Sequence, residues 1–584
     1  MSNLLAEAQP RAFAPMREAV AACRRHWIAA AGFSALVNLL YIAPTLYMLQ
    51  VYDRVVPTRG VQTLVFLTLV LLFALGCLAL LDRIRARLLT RAGVVLNAVL
   101  APAVLDATIG RPDLPVARSA ARELDALRAA LTGPAMLAVF DAPWTPIYVG
   151  VCFLVHPLIG VMALAGGLAL AAIAWRNERA TRAGLDRAQE VAGQTYAAQD
   201  AMLGAADSVR ALGMRRALVA RQLRKRETML ALQTESGFHA GGYFTATKFI
   251  RLALQSLALG LGAWLAVDNL ISGGAIFASS FLIARALAPI ELLIGSWKTL
   301  AQARSGYRDL DALLATAIAR PAPTQLPAPQ GALALEGVTI LNAARDGAVL
   351  NGVTFAIAPG EVVAIVGPSG SGKSTLMKAI TGALPVDRGA VRIDAAEIAD
   401  WDAERLARHI GYLPQDSVLF EGTIKENITR FAGELGADAD EADAAAVAAA
   451  DLVGARELIL RLPGGFDYRL GLGGRGVSAG QGQRIALARA VYGDPALYVL
   501  DEPNAHLDAE GDAALNAAIA RLKAAGKTIL VVSHKLGVLP VVDKMLVLRD
   551  GRVELYGPRD EVLAKIAPPN VRRMVPAAQG GSAA

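Results

Sequence analysis

Residues Gly367 to Thr375 read "GPSGSGKST" and follow the apolar run "EVVAIV" at 361–366. The stretch fits G-x-x-x-x-G-K-[ST] at every fixed position, and the helical pattern "STLMKAITGAL" opens from it. A strand that turns through glycines into a helix start presents backbone N–H groups to an anion. The spacing therefore predicts a nucleotide-phosphate loop made of Gly367, Pro368, Ser369, Gly370, Ser371, Gly372, Lys373, Ser374 and Thr375. Lys373 supplies a mobile cation to the β- and γ-phosphates, and the Ser374 hydroxyl is placed to ligate Mg²⁺.

Outward from this loop lie three more strand ends. "ALYVLDEP" delivers Asp501, a second Mg²⁺ ligand, to the end of an apolar strand. Glu502 follows it, where a carboxylate polarises a water for in-line attack. "VVSHK" brings His534, and "YLPQD" brings Gln415, to comparable positions. Alone, a His or Gln at such a place is structural or surface. A second anion-binding helix start opens "RGVSAGQGQRIALARA" at 475–490, with Ser478 as its cap. One chain thus carries two phosphate-binding helix starts about a hundred residues apart.

Composition widens the frame. Of 584 residues, 54% are apolar and 19% charged, and mean hydropathy is +0.42, which points to a membrane protein. The net charge of +7 is accounted for by arginines flanking apolar spans, so no nucleic-acid partner is expected. Cys23, Cys77 and Cys152 lack ligand spacing and read as reduced core thiols. No cleavable signal precedes the first apolar run.

Apolar stretches long enough to cross a bilayer lie near 27–50, 62–82, 136–155, 158–175, 248–268 and 274–296. Arginine crowds the long connections after the second and fourth, so these and both chain ends are expected in the cytoplasm. Residues 176–247 predict two helices of about 35 residues, each reaching about 50 Å. Asp141, Pro143, Trp144 and Pro146 open the third span. Asp141 reads equally as lining a wet path and as capping the helix. Asp53 and Arg54 read as ordinary residues of a short external hairpin. The expected domains are 1–26, a cytoplasmic segment; 27–319, a six-span membrane domain; 320–331, a proline-rich linker; 332–569, an α/β nucleotide-binding domain; and 570–584, a disordered tail.

Lys373, Gln415, the "SAGQ" helix start, Asp501-Glu502, Asp508 and His534 occur here in an order that resembles the ATPase domains of ABC transporters. With six spans and long cytoplasmic helices, the whole resembles an ABC exporter half-transporter. The resemblance implies a homodimer in which Ser478, Ala479, Gly480 and Gln481 of one copy cover ATP held by the phosphate loop of the other. It also implies nucleotide contacts for Gln415 and Asp508, Mg²⁺ held by Ser374, Gln415 and Asp501, and catalytic roles for Glu502 and His534.

Two departures matter. Val477 and Ala479 stand where the family has Leu and Gly, and Ala479 would be strained if its φ had to be positive. Within "GVTILNAARDGAVLNGVTF", 337–355, no aromatic precedes Phe355, so adenine stacking and the preference for ATP over GTP are open. "LYMLQVYDRVVPTRGVQTL", "FDAPWTPIYVGVCFLVHPLIG" and "VLDEPNAHLD" resemble the transporter subunit of bacterial type I protein secretion systems, of the type exporting proteases and lipases. That resemblance implies an unfolded polypeptide cargo with an uncleaved C-terminal signal, an inner-membrane location, a periplasmic adaptor and an outer-membrane channel. With about 25 residues before the first span, the Cys-protease domain of leader-cleaving relatives is not expected. Rival readings are an exporter of lipid, peptide or drug, and a non-transporting membrane ATPase used as a regulator or scaffold.

Overall fold

The computed structural model describes residues 16–112, 114–318, 326–342, 344–533 and 536–566. The chain divides into two compact units, Met1–Pro321 and Ala322–Ala584.

Among the described residues the first unit is helical, without strands. Its main elements are α1 Met16–Ala22, α2 Arg24–Leu40, α3 Ala43–Gln50, α4 Val61–Gly110, α5 Ala120–Thr132, α6 Pro134–Asp141, α7 Thr145–Val155, α8 Pro157–Gly204, α9 Arg215–Val267, α10 Gly273–Gly295 and α11 Trp297–Ile318. Among the described residues six segments are long and apolar enough to cross a membrane: Arg24–Thr58, Val61–Gly110, Pro134–Val155, Pro157–Gly204, Arg215–Val267 and Gly273–Gly295. The fourth and fifth continue without a break into the predicted long helices, giving 48 and 53 residues. At 1.5 Å per residue each runs about 70–80 Å, more than twice an apolar bilayer core. The turn between them contains only the short helix Ala206–Ala211.

Breaks fall where the sequence removes donors or side chains. Gly133 is extended and Pro134 starts α6; His156 is extended, its Nδ1 accepts from the Leu158 N–H, and Pro157 starts α8. Pro143 and Pro146 interrupt the third span through the 3₁₀ turn Ala142–Trp144.

Two sequence expectations change here. Asp141 makes no cap hydrogen bond. Its Oδ1 instead accepts from Arg85 Nη1 at 2.7 Å and Asn38 Nδ2 at 2.8 Å. Arg85 is 4% exposed and also donates to Ser34 Oγ at 2.9 Å and Asp82 Oδ1 at 2.6 Å. The Tyr148 hydroxyl donates to the Asn38 carbonyl at 2.7 Å, so spans 1, 2 and 3 meet in one buried polar network. A buried cation needs such partners, and Asp141 is the carboxylate that another span brings to it. The expected hairpin after span 1 is helical, with a π turn at Val51–Val55. There Asp53 accepts from Gly274 N at 2.6 Å and Ser272 Oγ at 2.5 Å, serving the orphan donors at the start of α10. Cys23 and Cys152 are buried, Cys77 is half-buried, and all three are free thiols.

The second unit is α/β. Strands β1 Leu333–Leu341, β2 Ala348–Ile357, β3 Val362–Val366, β4 Arg388–Ile393, β5 Ala396–Glu397, β6 Ile410–Leu413, β7 Leu497–Asp501, β8 Thr528–Val532, β9 Lys544–Arg549 and β10 Arg552–Pro558 form its two main sheets. An antiparallel sheet has the order β2-β1-β4-β5, and a six-stranded sheet has the order β10-β9-β3-β8-β7-β6. In the latter only the β9–β10 pair is antiparallel. Strands covered on both faces read as unbroken apolar runs, and β7 and β8 are buried at every position. Tyr498, Leu500, Ile529 and Val531 face one core, with Ile485 and Leu515. Leu497, Val499, Leu530 and Val532 face the other, with Leu376 and Ile380.

Candidate nucleotide site

β3, β6, β7 and β8 are adjacent and parallel, so their carboxyl ends open on one edge. An open parallel sheet binds ligands at that edge. From it issue the Gly367–Thr375 loop, Gln415, Asp501-Glu502 and the segment after Val532. His534 lies outside the described residues.

The loop passes into helix α12, Lys373–Ile380, whose N-cap Gly372 has φ 99°. A Cβ there would meet Leu350 Cδ2 at 2.8 Å, and one at Gly367 would meet the Leu548 carbonyl oxygen at 2.1 Å. Both glycines are required by close packing beneath the loop. Gly370, with φ 82°, faces open space. The top of the loop is thus clear while its underside is full, which is a cradle for an anion. Lys373 is buried, and its Nζ donates to the carbonyls of Gly367 at 3.0 Å and Pro368 at 2.9 Å. These are weak neutral partners, which a phosphate displaces by charge.

Ser374 Oγ donates to Gln415 Oε1 at 3.3 Å and also lies by the Asp501 carboxylate. Asp501 is 1% exposed, and its Oδ1 has no hydrogen-bond partner. Burial pushes its carboxyl up from the usual range, with Ser374 opposing and the Glu502 charge reinforcing that shift. A hydroxyl, an amide oxygen and an orphan carboxylate oxygen are the hard donors that Mg²⁺ takes, so the residues present fit that ion.

Glu502 is one of the few non-glycine residues with positive φ, 52°. Its N–H donates to the Val532 carbonyl at 3.1 Å, and its carbonyl accepts from Ala505 N at 3.1 Å. Such a backbone costs of order 1–3 kcal/mol and persists where surroundings enforce it.

The second helix start is α13, Ala479–Val491. Ser478 and Gln481 form a reciprocal capping box: Gln481 N donates to Ser478 Oγ at 3.3 Å and Ser478 N to Gln481 Oε1 at 2.8 Å. Ala479 is the first helical residue and is absent from the positive-φ residues, so an alanine is unstrained there. Gly480 is required by space, since a Cβ would stand 2.9 Å from the His506 carbonyl oxygen. Ser478 and Ala479 are exposed in the single chain.

Sequence reasoning missed the residues that bind this helix to the catalytic edge. Gln483 is 1% exposed. Its Nε2 donates to the carbonyls of Glu502 at 3.1 Å and Pro503 at 2.8 Å, and its Oε1 accepts from His506 N at 2.9 Å. Arg484 pairs with Asp508 at 2.5 Å. Asp508 also caps helix α14, Ala509–Ala524, by accepting from Gly511 N at 2.8 Å. The Gly511 N–H first, then the Arg484 guanidinium, hold its carboxyl below the usual range. A signal for Gln483 was available: it shares the apolar face of Ala486, Leu487 and Ala490. A polar side chain in that row has to find partners indoors. Phe355, the first aromatic of the stretch before the loop, is buried, its ring centroid 5.7 Å from that of Tyr556.

Fold and site together define a P-loop ATP-binding domain carried on a six-helix membrane unit. The ABC transporter family model matches residues 350–505. The chain is 41% identical over 551 residues to the type I secretion system ATP-binding protein PrsD of Rhizobium meliloti, covering 94% of each. It is 30% identical to the cyclolysin secretion/processing ATP-binding protein CyaB of Bordetella pertussis, over 91% of this chain and 75% of that one. A solved bacterial Atm1-family ABC exporter with ATP bound shares the fold, with TM-score 0.79 at 24% identity over 96% of this chain and 100% of that one. The chain belongs to the ABC transporter family, in its type I secretion branch. Its activity is ATP hydrolysis coupled to transport.

Proposed function

We propose that this protein is the energising subunit of a type I secretion system, exporting unfolded polypeptides with uncleaved C-terminal signals across the inner membrane. The observation that carries the reading is the 41% identity to PrsD, which runs through the membrane half as well as the ATPase half. On this reading the protein works as a homodimer with a periplasmic adaptor and an outer-membrane channel, and its termini are cytoplasmic.

Within each copy, the N–H groups of the 367–375 loop bind the β-phosphate, and Lys373 leaves its carbonyl partners for the β- and γ-phosphates. The exposed Ser478 and the half-buried Gly480 of the other copy complete the γ-phosphate shell. Ser374, Gln415 and Asp501 would hold Mg²⁺, which would offset phosphate charge. Glu502 takes the proton of the attacking water, and His534 contacts the γ-phosphate. Hydrolysis removes the charge shared between the copies, so the closed pair reopens.

The test is copurification combined with the Glu502→Gln variant. Capture of an adaptor and of a protein bearing a C-terminal signal supports the reading, while lipid-stimulated turnover without either overturns it. Glu502→Gln is expected to lower phosphate release by about 100-fold or more and to accumulate ATP-bound dimers on size exclusion. Unchanged turnover would remove Glu502 from the mechanism.

A further inference from the structure

Helix α4 sorts its arginines by face. Its apolar run begins at Val61 and ends at Asp82 and Arg83, about 30 Å at 1.5 Å per residue, the depth of a bilayer hydrocarbon core. Arg83 therefore marks the edge of the apolar layer. Arg87 and Arg91 follow about 6 and 12 Å further along. At four-residue spacing the three share one face.

The same face, followed back into the apolar run, carries Leu69, Phe73 and Leu80, which are 57%, 74% and 59% exposed. Gly76 lies among them, with nothing within 4 Å of a Cβ built on it. The most apolar window of this span contributes no buried residue to the protein. Arg85 points the other way, and it takes both nearby acids, Asp82 and Asp141. Arg83, Arg87 and Arg91 are exposed and have no ion-pair partner among the described residues. With Ala86 and Thr90 they line a shallow, open hollow on the surface of this one helix.

We infer that this face is a binding site for an anionic phospholipid. Acyl chains lie along Leu69, Phe73 and Leu80, and the headgroup phosphate is held by the guanidinium forks of Arg83 and Arg87, with Arg91 adding attraction from beyond the headgroup layer. The match is one of charge and depth: an unpartnered apolar stripe ends in unpaired cations where phosphates lie.

The test uses the full-length protein in detergent without nucleotide, titrated with phosphatidylglycerol and with phosphatidylcholine. The native protein is expected to prefer phosphatidylglycerol, and the triple variant R83Q/R87Q/R91Q to lose that preference by about tenfold or more. The variant R83K/R87K/R91K is expected to keep part of it, because the charge is retained while the bidentate fork is lost. Equal preference in the native and triple-Gln proteins overturns the assignment, as does a triple-Lys variant as impaired as triple-Gln. So does cross-linking of R87C between copies in lipid-free detergent. No arm reads ATP turnover or secretion, so failure here is separable from failure of the export reading.

Discussion

At single residues, the departures of the second helix start from its family pattern have opposite meanings. Ala479 occupies a first-turn helical position with ordinary torsions, so its missing glycine is harmless. Ala479→Gly is expected to change ATP turnover less than about threefold, well under the 1.4 kcal/mol of a tenfold effect. Gly480 is held by proximity to the His506 carbonyl. Gly480→Ala is expected to lower turnover about tenfold or more through the 1–3 kcal/mol that overpacking costs, measured by phosphate release. The sequence alone raised the question at 479 but could not answer it, because a residue's torsion follows from where the helix begins. Glu502 was legible as the catalytic carboxylate from its place after Asp501, yet its left-handed backbone was not. That conformation is held by the bond of its own N–H to Val532 of β8 and of its own carbonyl to Gln483, contacts that no local pattern records.

At the scale of elements, α13 is the piece whose role extends furthest. Gln483 uses donor and acceptor alike to fasten α13 to the turn after β7. Gln483→Ala leaves buried backbone groups unmet at about 1–3 kcal/mol. It is expected to slow turnover about tenfold while a fluorescent ATP analogue binds as before. Gln483→Glu keeps only the acceptor for His506 N and is not expected to rescue the rate. In the membrane unit, spans 1, 2 and 3 depend on Arg85 in the same way. Arg85→Ala leaves Asp141 uncompensated and is expected to cost about 3–5 kcal/mol, read as a loss of thermal stability in detergent. The exchange of both charges, R85D/D141R, is expected to restore part of it. The spans themselves were plain in the sequence because hydropathy needs no partner. Which of many arginines turns inward was not, since a one-dimensional pattern gives the angle between Arg83 and Arg85 but not the side on which the bundle lies.

For the whole molecule, the sequence order of motifs was enough to place the phosphate loop, Gln415 and Asp501 at one sheet edge, because parallel strands put their ends together. On the proposed reading, the helix start at Ser478 serves another copy. A mixed pair with Lys373→Ala in one copy and Ser478→Ala in the other concentrates both lesions in one of the two composite sites and spares the second. A pair with both lesions in one copy damages both sites. The first pair is expected to retain more turnover than the second, and equal rates would refute the shared arrangement. The exposed, uncovered cap at Ser478 has a genetic consequence as well. A cell making native and Glu502→Gln subunits in equal amounts would hold about three pairs in four with at least one faulty member. Such an allele would act dominantly, reducing export further than loss of half the gene dose.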